Sequence, residues 1–385
     1  MIADALRVEV LRAHGAGAAQ AAELLPVTGP VPAAAGHAEP SAWPLPDERC
    51  VAAWDGYAAD AVGSGVLEAL RGRLVQLRFP IVSGISDTDA YRAATRRGEL
   101  PAEGAPGLAL SRPEALRLFV HPTPAGRIPV LVAGARDDFE TLVRALTRRN
   151  EPAPVPPSMG ACIVGGYNNW DRVRGLRTAW ERENPGGGAG GWDAAFRALI
   201  PDREAYQDRF VLLSAGPYSA VPAGAMGLEP DEWLADSLTL RLEHECAHYF
   251  SRRVLGSMRN ALHDELVADF AGIVSAAGCY RAEWFTRFLG VEDHPRFRVG
   301  GRLENYRGDP PLSPGAFGVL RSLVVAAAAG VEAAERAGRL PWGTLEERAG
   351  TLLALSRLTL EELADGGGAA GPAGVDGGAQ ALMMT

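Results

Sequence analysis

In the second half of the chain, apolar residues recur at helical spacing through Trp233-Leu-Ala-Asp-Ser-Leu-Thr-Leu-Arg-Leu-Glu-His. That pattern predicts an amphipathic helix, entered through Glu229-Pro-Asp-Glu and closed at Gly256. A second helical run extends from Asn260 to Ala277 and closes at Gly278. Upstream the pattern shortens. Leu116-Arg-Leu-Phe-Val-His and Ile128-Pro-Val-Leu-Val-Ala flank a Pro-Gly loop and read as neighbouring strands. Ala161-Cys-Ile-Val-Gly is a short buried strand, and Asp208-Arg-Phe-Val-Leu-Leu-Ser-Ala is the clearest strand of all. Helices are expected over residues 1–25, over Arg136 to Arg149 before the Pro-rich stretch Glu151–Pro157, and over Asp171 to Glu183. Pro185 to Gly191 would form a flexible exit from the last of these. Two more helices are expected at Ser313–Leu340 and Thr344–Asp365. Pro26 to Pro46 reads as a linker, and Gly366 to Thr385, rich in Gly and Ala, as a disordered tail. Between 47 and 115 the pattern is weak, with a helix at Ser64–Arg73 and a strand at Leu74–Phe79.

The chain has 385 residues, 47% hydrophobic and 22% charged, enough for two domains or one large one. A net charge of −9 without a basic block argues against nucleic acid or an anionic membrane as partner. All 38 basic residues are Arg, so a covalent mechanism through a Schiff-base lysine is excluded. Cys50, Cys162, Cys246 and Cys279 form no C-x-x-C pair and read as free thiols of a reducing compartment. The N-terminus, charged at Asp4, Arg7, Glu9 and Arg12, lacks the basic start and unbroken apolar core of a signal peptide. The longest late apolar run, Leu323 to Val331, is far short of the roughly eighteen residues of a membrane span. A cytoplasmic protein is the expectation. Gly165-Gly166 and the Gly-rich stretch 186–191 match no phosphate-binding loop and read as turns.

The chemistry concentrates in His244-Glu245-Cys246-Ala247-His248, followed by Glu265 and then Asp269. Residues i and i+4 leave a helix on the same face one turn apart, so both imidazoles can reach one ion. Glu245 borders that face and is placed to take a proton from water without being a ligand. A catalytic zinc wants three protein ligands and an open position. On the following helix, Glu265 and Asp269 share a face at i and i+4, while Asp264 points about 100° away. One face thus offers a ligand and a carboxylate to orient the histidines. His263 is the rival third ligand. Cys246 should point away from the ion and pack as a small hydrophobe.

These residues resemble the gluzincin branch of the zincin metallohydrolases, the thermolysin-like arrangement, over about residues 229–278. The resemblance implies His244, His248 and Glu265 as ligands of Zn2+, Glu245 as general base, and Asp269 as the carboxylate that orients a ligand histidine. It also implies an α+β fold: a small, mostly antiparallel sheet packed on the metal-binding helix, with a C-terminal helical region. The domain ranges then read 1–115 for an N-terminal helix, linker and poorly defined region, 116–310 for the catalytic domain, 311–365 for C-terminal helices and 366–385 for the tail. In zincins the strand before the motif helix is a sheet edge along which an extended substrate pairs. Here the strand from Asp208 to Ala215 is such an edge or an ordinary core strand, with Gly216 to Gly224 as the loop that follows it.

An oxyanion-stabilising residue is also expected. Tyr218, Tyr249, His294 and the stretch Gly301–Arg307 offer candidates, and Tyr306 and Arg302 are favoured because polar loop residues between helices seldom serve packing. The function expected is a zinc-dependent hydrolase of peptide or amide bonds. Two alternatives stay open: a non-proteolytic metal enzyme acting on a small molecule, and a binding or scaffold protein whose zinc pins two helices. Oligomeric state leaves no mark in the sequence.

Overall fold

A computed structural model of the chain describes residues 2–31, 33–34, 40–101, 104, 106–257 and 261–366. The architecture is α+β, many helices with one four-stranded mixed sheet. Two compact units emerge, one of residues 45–245 and one of residues 1–44 together with 246–385. The latter unit combines the segment before residue 45 with the segment after residue 245.

In the unit of residues 45–245, β1 (Arg117–His121), β2 (Ile128–Ala133), β3 (Ala161–Asn168) and β4 (Gln207–Ser214) take the order β1-β2-β4-β3. All four lie where the short apolar runs of the sequence place them, with β3 running past the expected Gly165 to Asn168. β1 and β2 pair antiparallel across the Pro-Gly turn, β2 and β4 are parallel, and β3 and β4 antiparallel. β4 is thus the core strand of the two alternatives and not the edge. Its run Phe210-Val-Leu-Leu213 is fully buried, as a strand covered on both faces requires. Pro129 is tolerated in β2 because pairing with β4 begins only at Val130. In β3 the ladder slips between Gly165 and Tyr167, a bulge that uses the positive φ of Gly166 (70°). Trp54, Leu131, Phe139, Phe210 and Leu212 centre the core. Asp208, buried at the head of β4, accepts from Trp54 Nε1 (2.8 Å), Asn169 Nδ2 (2.6 Å) and Arg172 (2.6 Å).

Four local expectations change. Leu74–Phe79 is not a strand: Val75–Arg78 is a 3-10 turn. Its buried Val75, Leu77 and Phe79 alternate like strand residues, but the Asn150 side chain takes up the carbonyls of Gln76 and Phe79 that a ladder would need. The helix expected at Ser64–Arg73 is present as Val66–Arg73, and a helix the weak pattern did not show, Val51–Ser64, precedes it across Gly65. The exit after Glu183 is shorter than expected, since a further helix, Gly188–Leu199, starts inside the Gly-rich stretch. The N-terminal helix is two, Ile2–Ala13 and Ala18–Leu24, separated at Gly15, whose φ of 91° stops the first.

The other unit is helical. Pro314–Arg336 is long and apolar enough to cross a membrane by composition. Its stripe of Phe317, Leu320, Val324, Ala327, Ala328 and Val331 is nevertheless buried in this unit, as in a core helix. Gly330 allows the closest approach to it, because a Cβ there would sit 1.9 Å from the Leu363 carbonyl. The expected helix Thr344–Asp365 is again two, Leu345–Arg357 and Leu360–Ala364. Each opens on its own capping box, Thr344 with Glu347 and Thr359 with Glu362. Buried Glu361 binds Arg7 and Thr28, tying the N-terminal segment to the last helix. The second motif helix spans Leu262–Ala277 and ends at Gly278 with φ 75°. Its expected start at Asn260, and the expected tail beyond Gly366, lie outside the described residues.

Candidate metal centre

The helix Pro230–Val254 carries a stripe of polar side chains where a core helix would be apolar. Ser237, Arg241, His244 and His248, spaced four, three and four apart, are all buried. Helix Leu262–Ala277 brings Glu265 to the same place from its first turn, where the helix dipole favours a carboxylate. The ligand atoms of His244, His248 and Glu265 lie within 4.8 Å of one another, and all three residues are buried. His248 Nε2 is 3.5 Å from Glu265 Oε1. Two imidazoles and one carboxylate make a set able to hold a divalent ion and leave a position open.

The carboxylates of the second helix are themselves held. Asp269, fully buried, meets the guanidinium of Arg302, whose NH2 also lies 3.9 Å from Glu265 Oε2. Tyr306 donates its hydroxyl proton to Glu265, and burial together with that carboxylate pushes its pKa far above the usual tyrosine range. Arg302 and Tyr306 therefore join the site, but these contacts engage its carboxylates and do not mark them as oxyanion donors. Tyr249 is fully buried, with the Arg253 guanidinium 5.7 Å from its ring centre, and His294 is exposed.

His263, the rival ligand, faces elsewhere. Its Nδ1 lies 3.2 Å from the Gly29 carbonyl oxygen and its Nε2 3.0 Å from that of Leu355, and burial lowers its pKa. We expect Glu265→Gln to weaken metal affinity strongly and His263→Ala to leave it nearly intact. Asp269→Asn should fall between, at about 10- to 100-fold. The histidine variant should instead lose fold stability, by about 1–3 kcal/mol, for the carbonyl deprived of its donor. Chelator competition and thermal unfolding read the two effects separately, and the reverse order of affinities would move the third ligand to His263.

His244 is flanked on its other side by Tyr218, whose hydroxyl is 3.0 Å from His244 Nδ1. Tyr218 lies in the short turn Tyr218–Ala220 after β4, where Ser219 and Ala220 adopt positive φ of 49° and 56°. For non-glycine residues that conformation costs on the order of 1 kcal/mol or more each. Glu245, the next residue along, is half-buried, and its charge reaches Cys162 of β3. Burial first, and Glu245 second, push the Cys162 thiol up to about 12.

Cys246 is buried, three residues after Glu243 and away from the histidine stripe. With His121 the two form a second group of potential ligand atoms within 4.8 Å. His121 Nε2 and Glu243 Oε1 already satisfy each other there at 3.0 Å.

Sequence reasoning brought His244, His248, Glu265, Asp269, Arg302 and Tyr306 to one site, but gave Tyr218 no role beside His244 and overlooked Arg241. The sign available was the 4-3-4 spacing of Ser237, Arg241, His244 and His248, which puts Arg241 on the helix face of the histidines. No curated protein and no solved structure matches the chain. Residues 9–366 match the model of a family of unknown function, DUF7005, and over that length the chain belongs to it.

Proposed function

We propose that this chain is a zinc-dependent hydrolase with a zincin-like core, cleaving a peptide or amide bond. His244, His248 and Glu265 would hold the zinc, with Glu245 as general base. The convergence of three buried donors within 4.8 Å, on two helices, carries the reading. The donor set fits zinc: a buried carboxylate beside two imidazoles is stabilised by a cation, and three protein ligands are the number a catalytic site uses. When bound, zinc supplies Lewis acidity that polarises a carbonyl and lowers the pKa of water toward about 7.

The remaining chemistry belongs to the protein. Glu245 leaves the helix about 100° from His244, at the border of the ligand face. From there its carboxylate accepts a proton from the attacking water and returns it to the leaving amine. Tyr306 donates to Glu265, and Arg302 meets Asp269 and lies beside Glu265, contacts that hold the direction of the Glu265 carboxylate.

The sheet supports an extended substrate. β3 ends the strand order, the position at which an extended substrate would add as a further strand, and the charge of Glu245 is felt at Cys162 of that strand. Two of the three strand pairings are antiparallel, in keeping with a small zincin-like sheet. Protein purified without chelator and then equilibrated with zinc is expected to hold about one ion per chain by elemental analysis. Content below about a tenth of that stoichiometry would end the proposal.

A further inference from the structure

The loop that follows β4 is held more firmly than a connection requires. Arg241, buried on the motif helix, donates to the carbonyl oxygens of Ser214 (2.9 Å), Gly216 and Pro217. Room for this guanidinium comes from Gly160, where a Cβ would lie 2.4 Å from Arg241 Nε. Ser237 Oγ, one turn before Arg241, accepts the Tyr218 backbone N–H at 2.9 Å. The Tyr218 ring is buried, with the Arg241 guanidinium 5.8 Å from its centre and the His244 ring at 6.0 Å. These contacts hold the loop that carries Tyr218, whose hydroxyl lies 3.0 Å from His244 Nδ1.

We propose that Tyr218 is a positioning residue for His244: its hydroxyl engages Nδ1, fixes the plane of the imidazole and leaves Nε2 as the ligand atom. The inference rests on the ligand role of His244 proposed above. A histidine that binds a metal through one nitrogen carries its proton on the other, and the partner of that N–H sets both tautomer and ring orientation. A tyrosine hydroxyl suits the task because its oxygen accepts from Nδ1–H while its own proton rotates away. Ser237, Arg241 and Gly160 act one step further out, by holding the backbone of Tyr218. The left-handed turn at Ser219 and Ala220 follows directly after the tyrosine and completes the constraint.

The test uses the full-length protein. Tyr218→Phe keeps the ring and removes only the hydroxyl, so the metal-free protein should still unfold cooperatively, lowered by no more than the loss of one buried hydrogen bond. Zinc affinity, measured by competition with a chromophoric chelator, should fall about 10- to 100-fold. Ser237→Ala should weaken it in the same direction by less. In the cobalt-substituted protein, the Nδ1–H proton of His244 should exchange slowly with solvent in wild type and rapidly in Tyr218→Phe, while that of His248 is unchanged. Packing alone would not move that signal. Affinity within twofold of wild type, with slow exchange retained in Tyr218→Phe, overturns the role of Tyr218 and leaves the metal site standing. A wild type that takes up neither zinc nor cobalt overturns both.

Discussion

Glu245→Gln is expected to keep the fold and the zinc and to lose about 10²- to 10⁴-fold in turnover, the usual worth of general acid–base catalysis. Glutamine has the shape of glutamate and a hydrogen-bonding oxygen, but it accepts no proton at neutral pH. Position 245 borders the ligand face without belonging to the ligand set, so the substitution separates binding from chemistry. The measurement needs a substrate. Peptide libraries and cell-extract metabolites are screened in parallel with wild type and variant, and the product that appears only with wild type names both the activity and its base. A protein whose metal merely pins two helices would show no difference between the two. Turnover that survives the substitution unchanged would make Glu245 a bystander and the hydrolytic mechanism wrong, whatever the metal content.

The sequence is legible where a structure depends on neighbours in the chain. Both motif helices announce themselves by apolar period and by Gly256 and Gly278 at their ends, and β1 to β4 by runs of β-branched and aromatic residues. The His244–His248 pair follows from one helical turn, and the Glu265–Asp269 pair from another. Legibility fails where a distant residue satisfies the backbone. Asn150 turns Leu74–Phe79 away from a strand by supplying hydrogen bonds from more than seventy residues along the chain. The Tyr218–His244 contact spans 26 residues and has no periodicity to betray it. The join of the chain ends rests on Arg7 and Thr28 meeting Glu361, a pairing of residues at opposite ends of the sequence. Other boundaries are written locally in the sequence. Thr359 and Glu362 form a capping box as plain as that of Thr344 and Glu347, and it marks a new helix where a continuous one was expected.

His248→Ala is expected to abolish zinc binding, and His244→Ala to do the same, because two remaining ligands hold the ion poorly. His248 stands one helical turn from His244 and 3.5 Å from Glu265, so its loss removes a neighbour of both. Elemental analysis gives the occupancy, and thermal unfolding gives an independent measure. A ligand that binds only the folded state stabilises it by about 2.7 kcal/mol at a hundredfold excess over its dissociation constant. Wild type should therefore unfold at a higher temperature with zinc than without, and neither alanine variant should respond. The second ligand group supplies the control. His121→Ala removes the partner of Glu243 on the other face of the motif helix and should leave both occupancy and thermal response intact. Full zinc content in His248→Ala together with its loss in His121→Ala would place the ion on His121, Glu243 and Cys246. Glu245 would then lie beside no bound metal, and the hydrolase reading would fall with the site that supports it.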